Sequence, residues 1–148
     1  MGEWMKIRTA SKEDLAGVYR LEGNAFGDHG YPDFFLRQAW DLWPGSLLVA
    51  EEKSELLGYV LAGRGEAATE GWILSLAVAP AARGQGLGRQ LLRAAVNALE
   101  GQGCRRIKLT VLPDNPALHL YQSLGFAEAG REEDYFGPGE PRLLMVKA

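Results

Sequence analysis

The chain has 148 residues, 47% hydrophobic and 24% charged, with a formal net charge of −3. That length buries one good core, so residues 1–148 are expected to form a single domain. The mildly acidic balance argues against nucleic acid as a partner, no apolar run is long enough to cross a bilayer, and Met1-Gly2-Glu3-Trp4 lacks the basic and apolar regions of a signal peptide.

In chain order, residues 5–9 read as a short strand. Ser11 caps a helix over 11–22, with Glu13 and Asp14 in the first turn, where the helix dipole favours acids. Residues 23–31, rich in Gly, Asn and Asp, read as loop. Pro32 opens a second helix that ends near Trp43-Pro44-Gly45. Strands follow over 46–52 and 56–64, joined at Lys53-Ser54, then a turn over 65–69. The near-continuous apolar run 71–79 reads as a buried strand. A glycine-studded turn leads into the main helix, 86–99, which stops near Gly101-Gln102-Gly103. Cys104 lies between that helix and a strand over 107–112. As the one cysteine it forms no internal disulfide, so a structural thiol in a reducing cytoplasm is expected. A helix over 115–124 starts with Asn115 as N-cap and Pro116 as first residue, and Gly125 stops it. Strands over 126–134 and 142–147 follow, across the turn Gly137-Pro138-Gly139. The result is an α/β chain of order β-α-α-β-β-β-α-β-α-β-β, without repeats or low-complexity tails.

The most informative stretch runs from Leu76 to Leu92. An apolar strand stops at Pro80, and Arg83-Gly84-Gln85-Gly86-Leu87-Gly88-Arg89 then opens the main helix. Strand, glycine turn and helix in that order build an anion site: glycines let backbone N–H groups converge, and the helix start adds unpaired N–H groups and a positive dipole end. A phosphate or pyrophosphate is the expected ligand. The Gly-Lys-Ser/Thr ending of a P-loop is missing, and Arg89 stands where a dinucleotide fingerprint would demand glycine. Taken alone, the segment reads equally well as a tight turn.

A second segment, Asn115-Pro116-Ala117-Leu118-His119-Leu120-Tyr121-Gln122-Ser123-Leu124-Gly125-Phe126, changes that balance. With it the chain resembles the GNAT superfamily of N-acetyltransferases. Arg83-Gly84-Gln85-Gly86-Leu87-Gly88 matches that family's pyrophosphate motif, and Asn115 to Tyr121 with Leu124-Gly125-Phe126 matches its second motif. The likeness is strong from about residue 70 to residue 126. It implies a mixed, mostly antiparallel central sheet with helices on both faces. In that family the fourth and fifth strands begin side by side and splay apart to admit the pantetheine arm of coenzyme A.

The resemblance also implies roles. Acetyl-CoA would be the cosubstrate, with no metal. The backbone of Leu76, Ala77 and Val78 would pair with pantetheine, and one of these N–H groups would polarise the thioester carbonyl. The backbone of Gly84, Gln85, Gly86, Leu87, Gly88 and Arg89 would hold the pyrophosphate, with Arg83 and Arg89 as counter-charges. Further basic residues, Arg93, Arg105, Arg106 and Lys108, share that stretch of sequence and also suit a solvated face. Asn115 and Ala117 would contact the arm, and Asn115 reads equally as a plain N-cap. Tyr121 would be the general acid for the departing thiolate, because a phenol's pKa near 10 lies just above that of a thiol. By spacing alone, Tyr121 with Leu118 and Leu124 is a core-facing position.

Family members often carry a Glu on the fourth or fifth strand as general base. The matching positions here are Trp72 and Thr110, neither of which is a base. The closing Asp134-Tyr135-Phe136-Gly137 and Leu144-Met145 are similar to the ribosomal-protein alanine acetyltransferases, which typically have that fifth-strand Glu. Glu70, Glu128 or a chain of waters could substitute. The acceptor is expected between Asp28, His29, Tyr31, Asp33, Trp40 and Trp43 on one side and Glu132, Glu133, Asp134 and Tyr135 on the other, a set suited to a cationic amine. His29 and His119 read as structural or simply exposed. The chain is expected to act as a monomer or homodimer on an amine acceptor. Two alternatives stay open: an acyl-CoA-binding regulatory module with little catalysis, and an enzyme using a longer acyl-CoA.

Overall fold

The computed structural model describes residues 5–148; Met1 to Trp4, on which the signal-peptide expectation rests, fall outside the described residues. The elements in chain order are β1 (Met5–Thr9), α1 (Leu15–Phe26), α2 (Asp33–Leu42), β2 (Leu47–Glu52), β3 (Glu55–Arg64), β4 (Glu70–Val78), α3 (Leu87–Gly101), β5 (Arg106–Val111), α4 (Leu118–Ser123), β6 (Ala127–Glu132) and β7 (Arg142–Lys147). The expected order of elements is the observed one.

The strands form a seven-stranded sheet in the order β1-β2-β3-β4-β5-β7-β6. Every neighbouring pair is antiparallel except β4 and β5. β7 lies between β5 and β6, a placement that chain order does not reveal. β3 is an interior strand, and its residues 57–63 are all buried.

Helices cover both faces. Val18 and Leu21 of α1 and Leu36 and Ala39 of α2 pack with Val49, Tyr59, Leu61 and Ala77. On the opposite face α3 buries Leu87, Leu91, Leu92, Ala95, Val96 and Leu99, a helical stripe against Val60, Ala62, Ile73, Ile107 and Leu109. Each fully buried leucine contributes about 1.5–3 kcal/mol, so this stripe is a principal stabiliser of the fold. Gly58 permits the close approach: a Cβ there would stand 2.9 Å from Leu91 Cδ1 and 3.0 Å from the Ala77 carbonyl oxygen.

Four boundaries differ from the sequence expectation. A 3-10 turn, Lys12–Asp14, precedes α1, and the Asp14 carboxylate accepts the Ser11 N–H at 2.7 Å. α1 continues to Phe26 through the segment expected to be loop, because the stop is Gly27 rather than Gly23: Gly27 has a φ of 56° and donates its N–H to the Gly23 carbonyl. α4 begins at Leu118, and Asn115 to Ala117 form a turn ahead of it. β6 ends at Glu132 because Asp134 folds the next turn, accepting the Gly137 N–H on its carbonyl and the Gly139 N–H on Oδ1.

Candidate active site

β4 and β5 are paired only at Glu70–Arg106, Gly71–Ile107 and Trp72–Lys108. Beyond that third pair β4 runs on to Val78 and β5 to Val111 without pairing, while β5 stays joined to β7 and β4 to β3. The two strands therefore diverge into a wedge that opens toward their C-terminal ends. Ala79 donates its N–H to the Leu57 carbonyl at 2.8 Å. Antiparallel ladders alternate, so Ala77 is bonded to Tyr59 on β3, whereas Leu76 and Val78 turn N–H and C=O toward the wedge. Of the three residues expected to pair with pantetheine, Leu76 and Val78 thus present backbone to the gap and Ala77 does not.

The glycine turn closes the mouth of the wedge. Gly84 has a φ of 78° and Gly86 a φ of 81°, left-handed values that L side chains resist. A Cβ on either would meet nothing within 4 Å, so the turn is open to a ligand on its outer side. Gly86 is the N-cap of α3. Gly88 marks the crossing of the motifs, since a Cβ there would lie 3.6 Å from Leu120 on α4 and 3.9 Å from Val78 at the end of β4.

The basic residues divide. Arg83 and Arg89 are exposed beside the turn, and Arg83 Nε donates to the Val78 carbonyl at 3.2 Å, which fixes its side chain at the wedge mouth. Arg93 is exposed further along α3. Arg105 and Arg106 lie at the opposite, closed end of the β4–β5 pair, and Lys108 is ion-paired to Glu70 at 3.0 Å. The run seen in sequence is therefore not one patch.

Asn115 Oδ1 accepts the Ala117 N–H at 2.8 Å, an Asx turn ahead of α4 rather than the expected N-cap, which falls at Ala117, and that bond leaves the amide NH2 free to donate elsewhere. The Tyr121 ring is half-buried against the α3-side core and meets Phe126 edge-on at 6.2 Å between ring centres. Burial pushes its phenol pKa up from the ordinary value.

On the α1–α2 face a cleft of about 280 Å³ lies beside the apex of the wedge, against β5, β7 and β6, lined by Trp72, Thr110, Gly130, Arg131, Glu132, Tyr135, Arg142 and Leu144. Trp72 and Thr110, the positions where a strand carboxylate would stand, both face it. Neither proposed substitute base does. Glu70 is held by Lys108 at the closed end, and Glu128 is exposed on β6 and does not line the cleft.

The acceptor set also divides. Glu132 and Tyr135 line the cleft. Tyr31 reaches β4, donating its hydroxyl to the Leu74 carbonyl at 3.3 Å. Asp28, His29 and Asp33 are exposed, and His119 is exposed on α4. Trp40 and Trp43 pack against the core, with Trp40 Nε1 donating to the Ala10 carbonyl at 3.0 Å. Glu133 pairs with Arg131, and Asp134 builds its turn. Two arginines, Arg131 and Arg142, line the cleft where sequence reasoning saw only acids and aromatics.

Sequence reasoning also passed over Glu22. It is 2% exposed, and its carboxyl accepts hydrogen bonds from the Tyr59 hydroxyl, from Ser75 Oγ at 2.7 Å and from the Tyr31 N–H at 2.9 Å. A single glutamate near the end of an amphipathic helix gave no signal of burial. Cys104 is buried beside the Ala68 carbonyl, and desolvation raises its thiol pKa. Among the described residues no group of three or more His, Cys, Asp or Glu could hold a metal, and no helix is long and apolar enough to cross a membrane.

A splayed parallel pair with a left-handed glycine turn and helix N-terminus at its mouth defines the class as the acetyltransferase fold that the motifs resemble. Residues 9–126 match the model of the Acetyltransferase (GNAT) family, and the chain belongs to that family. An N-acetyltransferase of Methanocaldococcus jannaschii, itself uncharacterised, is 32% identical over 145 residues, spanning 97% of this chain and 91% of the relative. The ribosomal protein bS18-alanine N-acetyltransferase of Escherichia coli K12 is 29% identical over 140 residues, 88% of this chain and 86% of the relative. The yncA protein of Salmonella typhimurium, solved with its cofactor acetyl-CoA, superposes with a TM-score of 0.80 at 25% identity, over 97% of this chain and 92% of that one.

Proposed function

We propose that the protein transfers the acetyl group of acetyl-CoA to a primary amine, by direct attack with both substrates bound. The observation that carries this reading is the β4–β5 wedge, closed at Trp72–Lys108 and open toward the glycine turn. The open edge of β4, at Leu76 and at the Val78 N–H (the Val78 carbonyl already accepts from Arg83), suits an amide-bearing arm that adds to it like a strand. The N–H groups of residues 84–89 suit the pyrophosphate, with Arg83 and Arg89 as counter-charges. The free Asn115 NH2, beside Ala117, suits a carbonyl of the arm. The yncA protein, with its acetyl-CoA, supports the choice of donor.

The amine nitrogen bonds to the thioester carbonyl carbon. A β4 backbone N–H on the open edge stabilises the charge that grows on oxygen. The C–S bond then breaks, its electron pair leaves on sulfur, Tyr121 Oη protonates that sulfur, and the proton lost by the acylated nitrogen passes to solvent, from which the phenol is restored. Burial keeps the phenol protonated at working pH. The same apolar surroundings raise the basicity of the thiolate formed beside it, so the transfer stays close to balanced.

The acceptor we infer is an α-amine. Trp72 and Thr110 supply no base, and an α-amine of pKa near 8 is partly neutral at pH 7 where a lysine is not. The name of the Escherichia coli relative, an alanine N-acetyltransferase, points the same way. The missing strand carboxylate is also the one observation that favours an acyl-CoA-binding regulatory module instead. A reducing compartment suits the buried free thiol of Cys104.

Coenzyme A release from acetyl-CoA decides between them. The acceptors are an alanine-initiated peptide, an N-terminally blocked lysine peptide and spermidine, with Cys104→Ser in the background to silence the protein's thiol. Release that depends on the alanine-initiated peptide and vanishes in Tyr121→Phe supports the transferase. Acetyl-CoA binding without release from any acceptor supports the module and sinks the transferase reading.

A further inference from the structure

We infer that Glu22 is a positioning residue for the transfer step, acting through Tyr31 and the irregular segment of β4. This rests on the transferase reading.

Between Leu61 and Ala62 of β3 the register with β4 shifts from Ser75 to Ile73, which leaves Leu74 as an extra, bulged residue. A bulge breaks the ladder locally, so something else must set the direction of the peptide groups around it. Glu22 and Tyr31 do so from the helix face. Ser75 Oγ donates to Glu22 Oε1 at 2.7 Å, and the Tyr59 hydroxyl donates to the same oxygen from β3. Glu22 Oε2 accepts the Tyr31 N–H at 2.9 Å, and the other end of Tyr31, its hydroxyl, donates to the Leu74 carbonyl at 3.3 Å. Tyr31 is thus tied at both ends, with its ring against Phe35 at 4.5 Å between centres. The loop between α1 and α2 is joined through one carboxyl group to the β4 segment that precedes the open edge at Leu76.

The arrangement has features that plain packing does not require. Glu22 is 2% exposed, and hydrophobic residues in place of the carboxyl and its hydroxyl donors together would fill the space without burying polar groups. What the carboxyl adds is direction: two oxygens fix three donors from three separate elements. Reaction needs the thioester and amine aligned within a fraction of an ångström, and a misplacement of about 1 Å can lower a rate about a hundredfold.

The test compares Glu22→Ala, Glu22→Gln, Tyr31→Phe and the double variant Glu22→Gln/Tyr31→Phe, with acetyl-CoA and an alanine-initiated peptide. In Glu22→Ala, kcat falls about a hundredfold while the acetyl-CoA KM stays within about threefold, because the glycine turn is untouched. Glu22→Gln recovers only part of that loss: an amide oxygen can still accept the Tyr31 N–H, but the NH2 cannot accept from the Tyr59 and Ser75 hydroxyls, which must turn and lose their acceptor. Tyr31→Phe, added to Glu22→Gln, lowers kcat less than it does in the wild-type background, the coupling expected of two residues on one path. Where Glu22→Ala does not fold, the cycle between the other two decides. Unchanged kcat in the Glu22 variants, or strictly additive effects, overturns the inference while leaving the transferase reading intact. Wild-type protein that acetylates no amine overturns both.

Discussion

Trp72 and Lys108 are the last residues that join β4 to β5, and the Lys108 ammonium lies 5.6 Å from the centre of the Trp72 ring. Glu70 holds the same ammonium at 3.0 Å. The apex of the wedge is therefore pinned by an ion pair and a cation–π contact, both half-buried, just where backbone pairing ends. Below it the strands are ordinary sheet; above it they frame the candidate active site.

Replacing Tyr121 by Phe removes a proton donor and almost no volume. We expect kcat to fall about 10²–10⁴-fold and acetyl-CoA affinity to stay within about twofold. Turnover kinetics with calorimetric binding checks this, and a kcat within threefold of wild type excludes Tyr121 as the acid. Since burial raises the phenol pKa, the wild-type rate should climb with pH as the amine deprotonates and hold until at least about pH 10.

Gly84 and Gly86 adopt φ values of 78° and 81°. Alanine at either position faces open space, so the penalty is backbone strain alone, about 1–2 kcal/mol at each site. If the turn shifts toward right-handed φ to relieve it, the N–H groups swing away from the pyrophosphate. The acetyl-CoA KM should then rise about tenfold or more, with the thermal midpoint lowered by a few degrees. A lowered midpoint with unchanged KM would show that the turn is structural only.

Glu22→Ala strands the Tyr59 and Ser75 hydroxyls in a buried space. We expect a loss of about 2–4 kcal/mol in urea unfolding, and a smaller loss for Glu22→Gln. The Tyr59 phenol, whose pKa burial and then Glu22 push well up, stays protonated throughout the working range.

Asp14 supports the start of α1. The hydrogen bond from Arg8, at 2.6 Å, holds its carboxyl down to a pKa of about 2, helped by Ser11 and opposed by desolvation. A depressed carboxylate stabilises the fold above its unfolded pKa, near 3.8, and that contribution fades as pH falls through about 2. The Arg8 partner is partly exposed, so solvent screening leaves about 1–2 kcal/mol at pH 7. Asp14→Asn should be less stable than wild type by that amount at pH 7 and equal to it near pH 2. A difference that persists at pH 2 would point to lost packing instead.

Most of the architecture and the two motif segments that carry the family likeness were legible in sequence, because each rests on local chemistry. A glycine turn opening a helix, an Asn-Pro turn just ahead of one and alternating or helical hydrophobic spacing are set by neighbours a few residues apart. Gly84, Gly86, Asn115 and Tyr121 all lie within such segments. Tertiary structure decided what depends on residues distant in sequence. It inserted β7 between β5 and β6, turned Leu76 and Val78 but not Ala77 toward the wedge, and separated Arg105 and Arg106 from Arg83 and Arg89. It brought Arg142 and Trp72 to one cleft and removed Trp40 and Trp43 from it. Above all it buried Glu22 beneath Tyr31, Tyr59 and Ser75. A lone glutamate on a helix reads as surface until the sheet and loop supply three donors that make its burial tolerable.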